Sequence, residues 1–362
     1  MRGGIVGAAA AEFILNDFHV ALTADFYDPA GEPKFADLGL SVLERISHIK
    51  VRPFAEHRPQ IAADQLAGTN GVIVLTPAVT RETVAAADDL LAVGRFGVGY
   101  DNVDVAACTE ADVLLYITAG AVDRSVAEAV VGWMICLTHH VGRKDRMVRE
   151  GRWNDRSQFM GCELRDRTLG VVGLGGIARK LLELLAGWGM NPPVAFDPFI
   201  DPAVAEKLGV RLVALDELLG TSDFVSIHCP LTPQTRGLIG RRELALMKPA
   251  AYLINTARGN IVDEDALYDA LKDRRIAGAA IDCYANEPLS EPHRLGELDN
   301  ALLAPHSIAW TNEMFRDIGR AACQGMVDLS LKRRPRGVVN AEVLERPGFQ
   351  RKWERLCGRF RP

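Results

Sequence analysis

The sequence predicts an α/β fold built from two parallel sheets, each wound with helices on both faces. Three observations carry that reading. Short β-rich apolar runs alternate with helical patterns along the chain, as parallel sheets require. A glycine turn, GLGGIA at 173–178, joins one of those strands to a helix. And 362 residues are too many for one ordinary core, which argues for two domains.

From the N-terminus, MRGGIVGAAAAEFIL weakly imitates a signal peptide, but Glu12 and Asn16-Asp17 interrupt it and no clear cleavage site follows. Residues 1–17 therefore read as an extension. Strands are expected near 19–23, 71–75, 92–97 and 113–116, with helices between. A long helix should follow. Ser125 and Glu128 have capping-box spacing, and Val126, Val130, Trp133, Leu137 and Val141 recur at helical intervals up to Gly151. A second strand series follows at 169–173, 194–197, 211–215, 224–228, 252–256, 278–282 and 301–304. A helix from about Asn312 to Leu331 should return to the first domain. The basic, aromatic tail after 346 has no evident place.

Composition excludes several functions. Apolar residues make up 48% and charged residues 25%, normal for a globular protein. The net charge of −5 gives no footprint for nucleic acid. The basic run KRRPR at 332–336 reads as a solvated helix end. Seven scattered cysteines lack C-x-x-C spacing, and eight histidines lack H-E-x-x-H spacing, so neither a disulfide frame nor a metal site is expected. No stretch approaches the ~18 apolar residues of a membrane span. A reduced, cytoplasmic protein is the expectation.

The glycine turn carries chemistry. Gly173, Gly175 and Ala178 form G-x-G-x-x-A between a strand and a helix. Close backbone approach and the helix's positive end suit a pyrophosphate. Asp197 ends the next strand at the right distance to bind ribose hydroxyls and repel a 2′-phosphate, which favours NAD over NADP. Such a Rossmann sheet binds ligands beyond the carboxyl ends of its strands. There lie His228-Cys229-Pro230, Asn255-Thr256-Ala257-Arg258, Asp282, Glu287 and His306. A histidine can give or take the proton that accompanies hydride transfer to a carbonyl. Glu287 would orient it and favour the imidazolium, and Arg258 would grip a carboxylate or polarise the carbonyl. The glycine loop Gly97-Val98-Gly99 of the first domain could complete an anion site. Against this, a lone histidine such as His306 is more often a packed core residue; its company reverses that reading. His228 should line the adenosine pocket, and Cys229 and Cys283 should pack.

These motifs resemble the D-isomer-specific 2-hydroxyacid dehydrogenases. The likeness runs from about 70 to 330, through GRFGVGYDNVD (94–104), RSVAEAVVGWMICL (124–137), FDPF (196–199), HCPLTPQTRGLI (228–239), INTARGNIVDEDAL (254–267), GAAIDCYANEP (278–288) and PHSIAWT (305–311). The resemblance implies a flavodoxin-like substrate domain of 18–120 and 309–345. It implies a Rossmann NAD-binding domain of 121–308, with a tail of 346–362. By position it implies Arg258, Glu287 and His306 as catalytic residues. It implies Val98 and Gly99 as backbone donors to the substrate carboxylate. NAD would be held by Gly173, Gly175, Gly176, Ile177, Asp197, His228, Pro230, Thr256, Ala257 and Asp282, the last on the nicotinamide carboxamide. A homodimer through the NAD-binding domains is also implied.

Departures bear on the substrate. Relatives often carry Arg where Gly176 stands, Arg-Ser where Leu75-Thr76 stands, and small residues where Trp310 stands, although Arg95 is kept. Gly176 removes a pyrophosphate contact to NAD, whereas Leu75 and Trp310 point away from a phosphorylated substrate, with Trp310 lining the substrate site. Some relatives are NAD-sensing corepressors, and the tail at 351–361 would be the partner element of that alternative.

Overall fold

The computed structural model describes residues 17–357. The expected extension and the last five residues lie outside them, apart from Asp17. The chain divides into two compact units. One takes residues up to Thr118 and from Phe315 onward; the other is the continuous segment Ala119–Met314.

In the first unit, β1 (Phe18–Leu22), β2 (Ile49–Pro53), β3 (Gly71–Val74), β4 (Ala92–Arg95) and β5 (Leu114–Ile117) form a parallel sheet in the order β2-β1-β3-β4-β5. This is a flavodoxin-like order. Three short helices connect its strands: α1 (Ser41–Glu44), α2 (Arg81–Ala85) and α3 (Val105–Glu110). Strand β2, IKVRP, went unpredicted because it is an edge strand with one buried residue, Ile49. The inner strands are the opposite: every residue of β3 is buried.

The second unit opens with α4 (Asp123–Thr138) and α5 (Val141–Arg149), where one long capped helix was expected. His140 is the reason for the break: its φ of 54° is left-handed and ends the helical path. The expected capping box is also absent. The helix starts three residues earlier, with Val122 at its N-cap, and the Ser125 hydroxyl donates to the Ala309 carbonyl instead. Val126, Val130, Trp133 and Leu137 are buried as expected, whereas Val141 is exposed.

Its sheet contains β6 (Leu169–Val172), β7 (Val194–Phe196), β8 (Arg211–Leu212), β9 (Phe224–Ile227), β10 (Tyr252–Asn255), β11 (Gly278–Ile281) and β12 (Ala301–Leu303). The order is β12-β11-β10-β9-β6-β7-β8, all parallel. The order reverses between β6 and β9, the switch point at which a doubly wound sheet opens a crevice. Helices α6 (Gly176–Leu185), α7 (Pro202–Lys207), α8 (Leu215–Thr221), α9 (Arg241–Leu246) and α10 (Glu264–Lys272) cover it. Alternate strand residues feed two cores. Leu169, Val171 and Ile254 pack with α4 and α6; Val172, Ile227 and Leu253 pack on the opposite face with α8 to α10. Strand β8 stops at Leu212 because Leu215 already starts α8.

Helix α11 (Asn312–Ser330) carries the chain into the first unit, and α12 (Pro347–Cys357) follows. The tail thus has a place. Phe349, Trp353 and Cys357 are buried, and Trp353 Nε1 donates to the Leu329 carbonyl at 2.8 Å. Lys352 Nζ donates to three carbonyls, those of Leu90, Ala111 and Asp112, at 3.0–3.1 Å. Trp353 and Cys357 of the tail are thus buried, while residues 358–361 of the partner element first considered lie outside the described residues. In KRRPR, Lys332 pairs with Glu354 and Arg333 with Asp328.

Candidate active site

All seven strands of the second sheet point the same way, so the residues after them collect at one rim. After β6, Gly173 turns with a φ of 94°, in the region open to glycine. A Cβ there would also press on the Cys229 backbone. Leu174 N–H donates to Asp197 Oδ2 at 2.8 Å and Phe199 N–H to Oδ1 at 2.9 Å. The acid that follows β7 is thereby fastened beside the glycine turn. Helix α6 then begins with no side-chain cap on its N–H groups. Gly175 has nothing within 4 Å of its missing Cβ, which leaves an open cradle at a positive helix end.

The acid–base candidates sit after β11 and β12. His306 Nδ1 lies 2.6 Å from Glu287 Oε2, and Tyr284 N–H donates to Glu287 Oε1 at 2.7 Å. His306 has a left-handed φ of 52°, rare for a residue with a side chain. Asp282 holds that turn. Its carbonyl accepts from His306 N–H at 2.8 Å, and its Oδ1 accepts from Ser307 and Ile308 N–H at 2.9 and 3.2 Å. Burial raises the Asp282 carboxyl, opposed by those two N–H groups. Burial would also raise Glu287, but His306, the Tyr284 N–H and Arg258 outweigh it and hold Glu287 below the usual glutamate value.

Arg258 follows β10, with its carbonyl accepting from Asn255 Nδ2 at 2.8 Å and its Nη1 donating to the Ala257 carbonyl at 2.8 Å. The next residue locks this loop to the one carrying Glu287. A Cβ on Gly259 would overlap the backbone of Tyr284 and Ala285. Glu264, on α10, adds a second tie by accepting from Ala285 N–H at 2.7 Å and pairing with His293 at 3.3 Å. Sequence reasoning passed over Gly259 and Glu264, although both stand inside the motif INTARGNIVDEDAL.

The remaining candidates are placed as follows. His228 hydrogen-bonds Ser226 at 2.8 Å, and burial pushes its imidazole down to about 4. Burial pushes the Cys229 thiol up to about 11, as a packing thiol should behave. Pro230 is exposed, and Ile177 and Ala257 are half-buried. Thr256 Oγ1 is buried without a hydrogen-bond partner. Trp310 is largely exposed, its N–H bonded to the Ser307 carbonyl. Val98 and Gly99 belong to the other unit, on the loop after β4. Sulfur and ring ligand atoms also meet here: Cys283, Glu287 and His306 offer atoms within 4.8 Å of one another and are the group among the described residues that could hold a metal ion. The donor set is the acid–base pair itself, so a cation there would compete with proton transfer.

The orphaned Thr256 hydroxyl, the uncapped helix end and the fastened Asp197 all fit a bound dinucleotide. A switch-point crevice with those features defines a dinucleotide-binding α/β protein carrying an acid–base pair. More particularly, residues 131–307 match the family described as D-isomer specific 2-hydroxyacid dehydrogenase, NAD binding domain, and that segment belongs to the family. A D-3-phosphoglycerate dehydrogenase of Archaeoglobus fulgidus is 38% identical over 272 residues, 75% of this chain and 51% of that protein. The Rattus norvegicus enzyme of the same name is 36% identical over 324 residues, 89% of this chain and 58% of that protein. The chain thus spans little more than half the length of these relatives. A solved glyoxylate reductase from Paecilomyes thermophila superposes with a TM-score of 0.77 at 27% identity, over 90% of this chain and 99% of that one. Among the described residues no helix is long and apolar enough to cross a membrane.

Proposed function

We propose that the protein is an NAD-dependent oxidoreductase that interconverts a D-2-hydroxy acid and its 2-keto acid. The observation that carries this reading is the 2.6 Å contact between His306 Nδ1 and Glu287 Oε2, at the same strand rim as the glycine turn. The α6 N-terminus, Asp197, Thr256 and Asp282 would hold NAD(H), which would supply or accept the hydride at the substrate C2. With its Nδ1 proton directed at Glu287, His306 presents Nε2 to the substrate. In reduction Nε2–H gives its proton to the forming alkoxide; in oxidation neutral Nε2 takes the hydroxyl proton. Glu287 stabilises the imidazolium that results. Arg258 holds the substrate carboxylate.

The substrate is an unphosphorylated keto acid. Leu75 offers no charge, and the N–H and hydroxyl of Thr76 are both committed to Asp25. Arg95 Nη1 donates to the carbonyls of Val74 and Phe96. The dimer proposed for this family member would use the second unit, where Val148, Trp153 and Met160 expose large apolar surfaces.

The test is NADH oxidation with a panel of 2-keto acids that includes a phosphorylated one. Turnover is expected on at least one unphosphorylated acid, and His306→Ala should lose it by ~10²-fold or more while still binding NADH. A folded, NADH-binding protein that reduces none of the acids would end the dehydrogenase reading. A higher kcat/KM for the phosphorylated acid would end the substrate assignment alone.

A further inference from the structure

Asp123 opens α4, and its carboxylate lies against the first residue of α6. A Cβ on Gly176 would overlap Asp123 Oδ2 and crowd Oδ1. The side chain that Gly176 lacks is thus replaced in space by an acid from another helix, at the first residue of α6, whose N-terminus has no side-chain cap. Among the described residues that carboxylate makes no hydrogen bond or ion pair, yet it is half-buried. Burial raises its carboxyl above the ordinary aspartate value, with Lys180 of α6 pulling the other way.

The other charged groups on the surrounding elements are committed elsewhere. Arg124 pairs with Glu128 on α4, and Lys180 pairs with Glu183. Arg179 donates to the Leu174 carbonyl. Asp197 accepts from Leu174 and Phe199, and Asp282 from Ser307 and Ile308. Asp123 is therefore the group placed to contest the helix end with an incoming phosphate.

The geometry points to Asp123 as the residue that sets how tightly this chain holds its dinucleotide and makes that affinity depend on protons. Ionised, it occupies the positive helix end and repels the pyrophosphate. Neutral, it no longer repels, and it has a proton to donate to a phosphate oxygen. Binding should therefore tighten as pH falls through the raised Asp123 range and weaken as pH rises through it. The inference rests on the NAD site described above.

NADH binding, followed by fluorescence titration at fixed ionic strength across a pH series, tests it without turnover. Wild type should weaken by about tenfold between the acidic and alkaline ends, the scale of a charge at a helix terminus. Asp123→Asn keeps the shape and removes the charge. It should bind about tenfold tighter than wild type at alkaline pH, with the wild-type pH slope abolished. Asp123→Ser provides the same comparison should the amide variant fold poorly. Equal affinities and parallel pH profiles for wild type and the variants would overturn the proposal. Absence of NADH binding in wild type and variants alike would overturn the cofactor site, and this proposal with it.

Discussion

His228 shows how burial at a single residue becomes a pH dependence. Its ring is held neutral, with a pKa pushed to about 4 by burial, against ~6.5 in an unfolded chain. The unfolded chain therefore binds the proton first as the medium is acidified. The associated stability is complete above the unfolded value and lost as pH falls from there toward the folded one. At pH 5 that loss is on the order of 2 kcal/mol. His228→Gln keeps a partner for Ser226 and should lack this part of the slope. Urea unfolding of both proteins at neutral pH and at pH 5 measures it, and an unchanged slope in the variant would contradict the assignment.

Residue chemistry was legible where it depends on chain order. His306, Glu287 and Arg258 each follow a strand, so parallel winding alone brings them to one rim. Asp123 was not legible, because its meaning depends on how the start of α4 meets the start of α6, more than fifty positions later. Nor was the role of Asp282 in holding the His306 turn, which rests on two hydrogen bonds from N–H groups beyond β12.

Between elements, the active geometry depends on two loops whose backbones touch. Gly259 after β10 lies against the Tyr284–Ala285 backbone after β11, and this contact spaces Arg258 from Glu287. Gly259→Ala would force backbone apart rather than displace a flexible side chain. The expected cost is ~1–3 kcal/mol of stability, with a fall in kcat larger than the change in NADH affinity. Wild-type kcat and an unshifted urea midpoint would show that the contact does not set the spacing. At this scale, central strands were readable from their apolar runs. The edge strand β2 was not, since one buried residue among five leaves no pattern. The break at His140 was also hidden, because apolar spacing continues to Val141 while the backbone does not.

Across the whole molecule, the first unit is assembled from both ends of the described chain, while the second is continuous. Helices α11 and α12 are structural parts of the first unit. Tyr116 Oη donates to the Ala322 carbonyl at 2.5 Å, and Met326 fills the space over Gly71 and Gly94. The sequence suggested the return of α11 but not the docking of α12, in which charged residues are as many as apolar ones.

That interleaving orders events in time. During synthesis β1 to β5 emerge first with α2 and α3 on one face, but without α11, which covers Gly71 and Gly94. The second unit is complete as soon as its own segment has emerged, and the first must wait for it. At ~5–20 residues per second the delay is on the order of tens of seconds. Over that interval the face of the first sheet that α11 covers has no permanent cover, which makes it the surface for a chaperone to shield. Limited proteolysis of ribosome-arrested chains should find residues 119–314 protected before residues 18–118. Protection in the reverse order would show that the early strands find another cover.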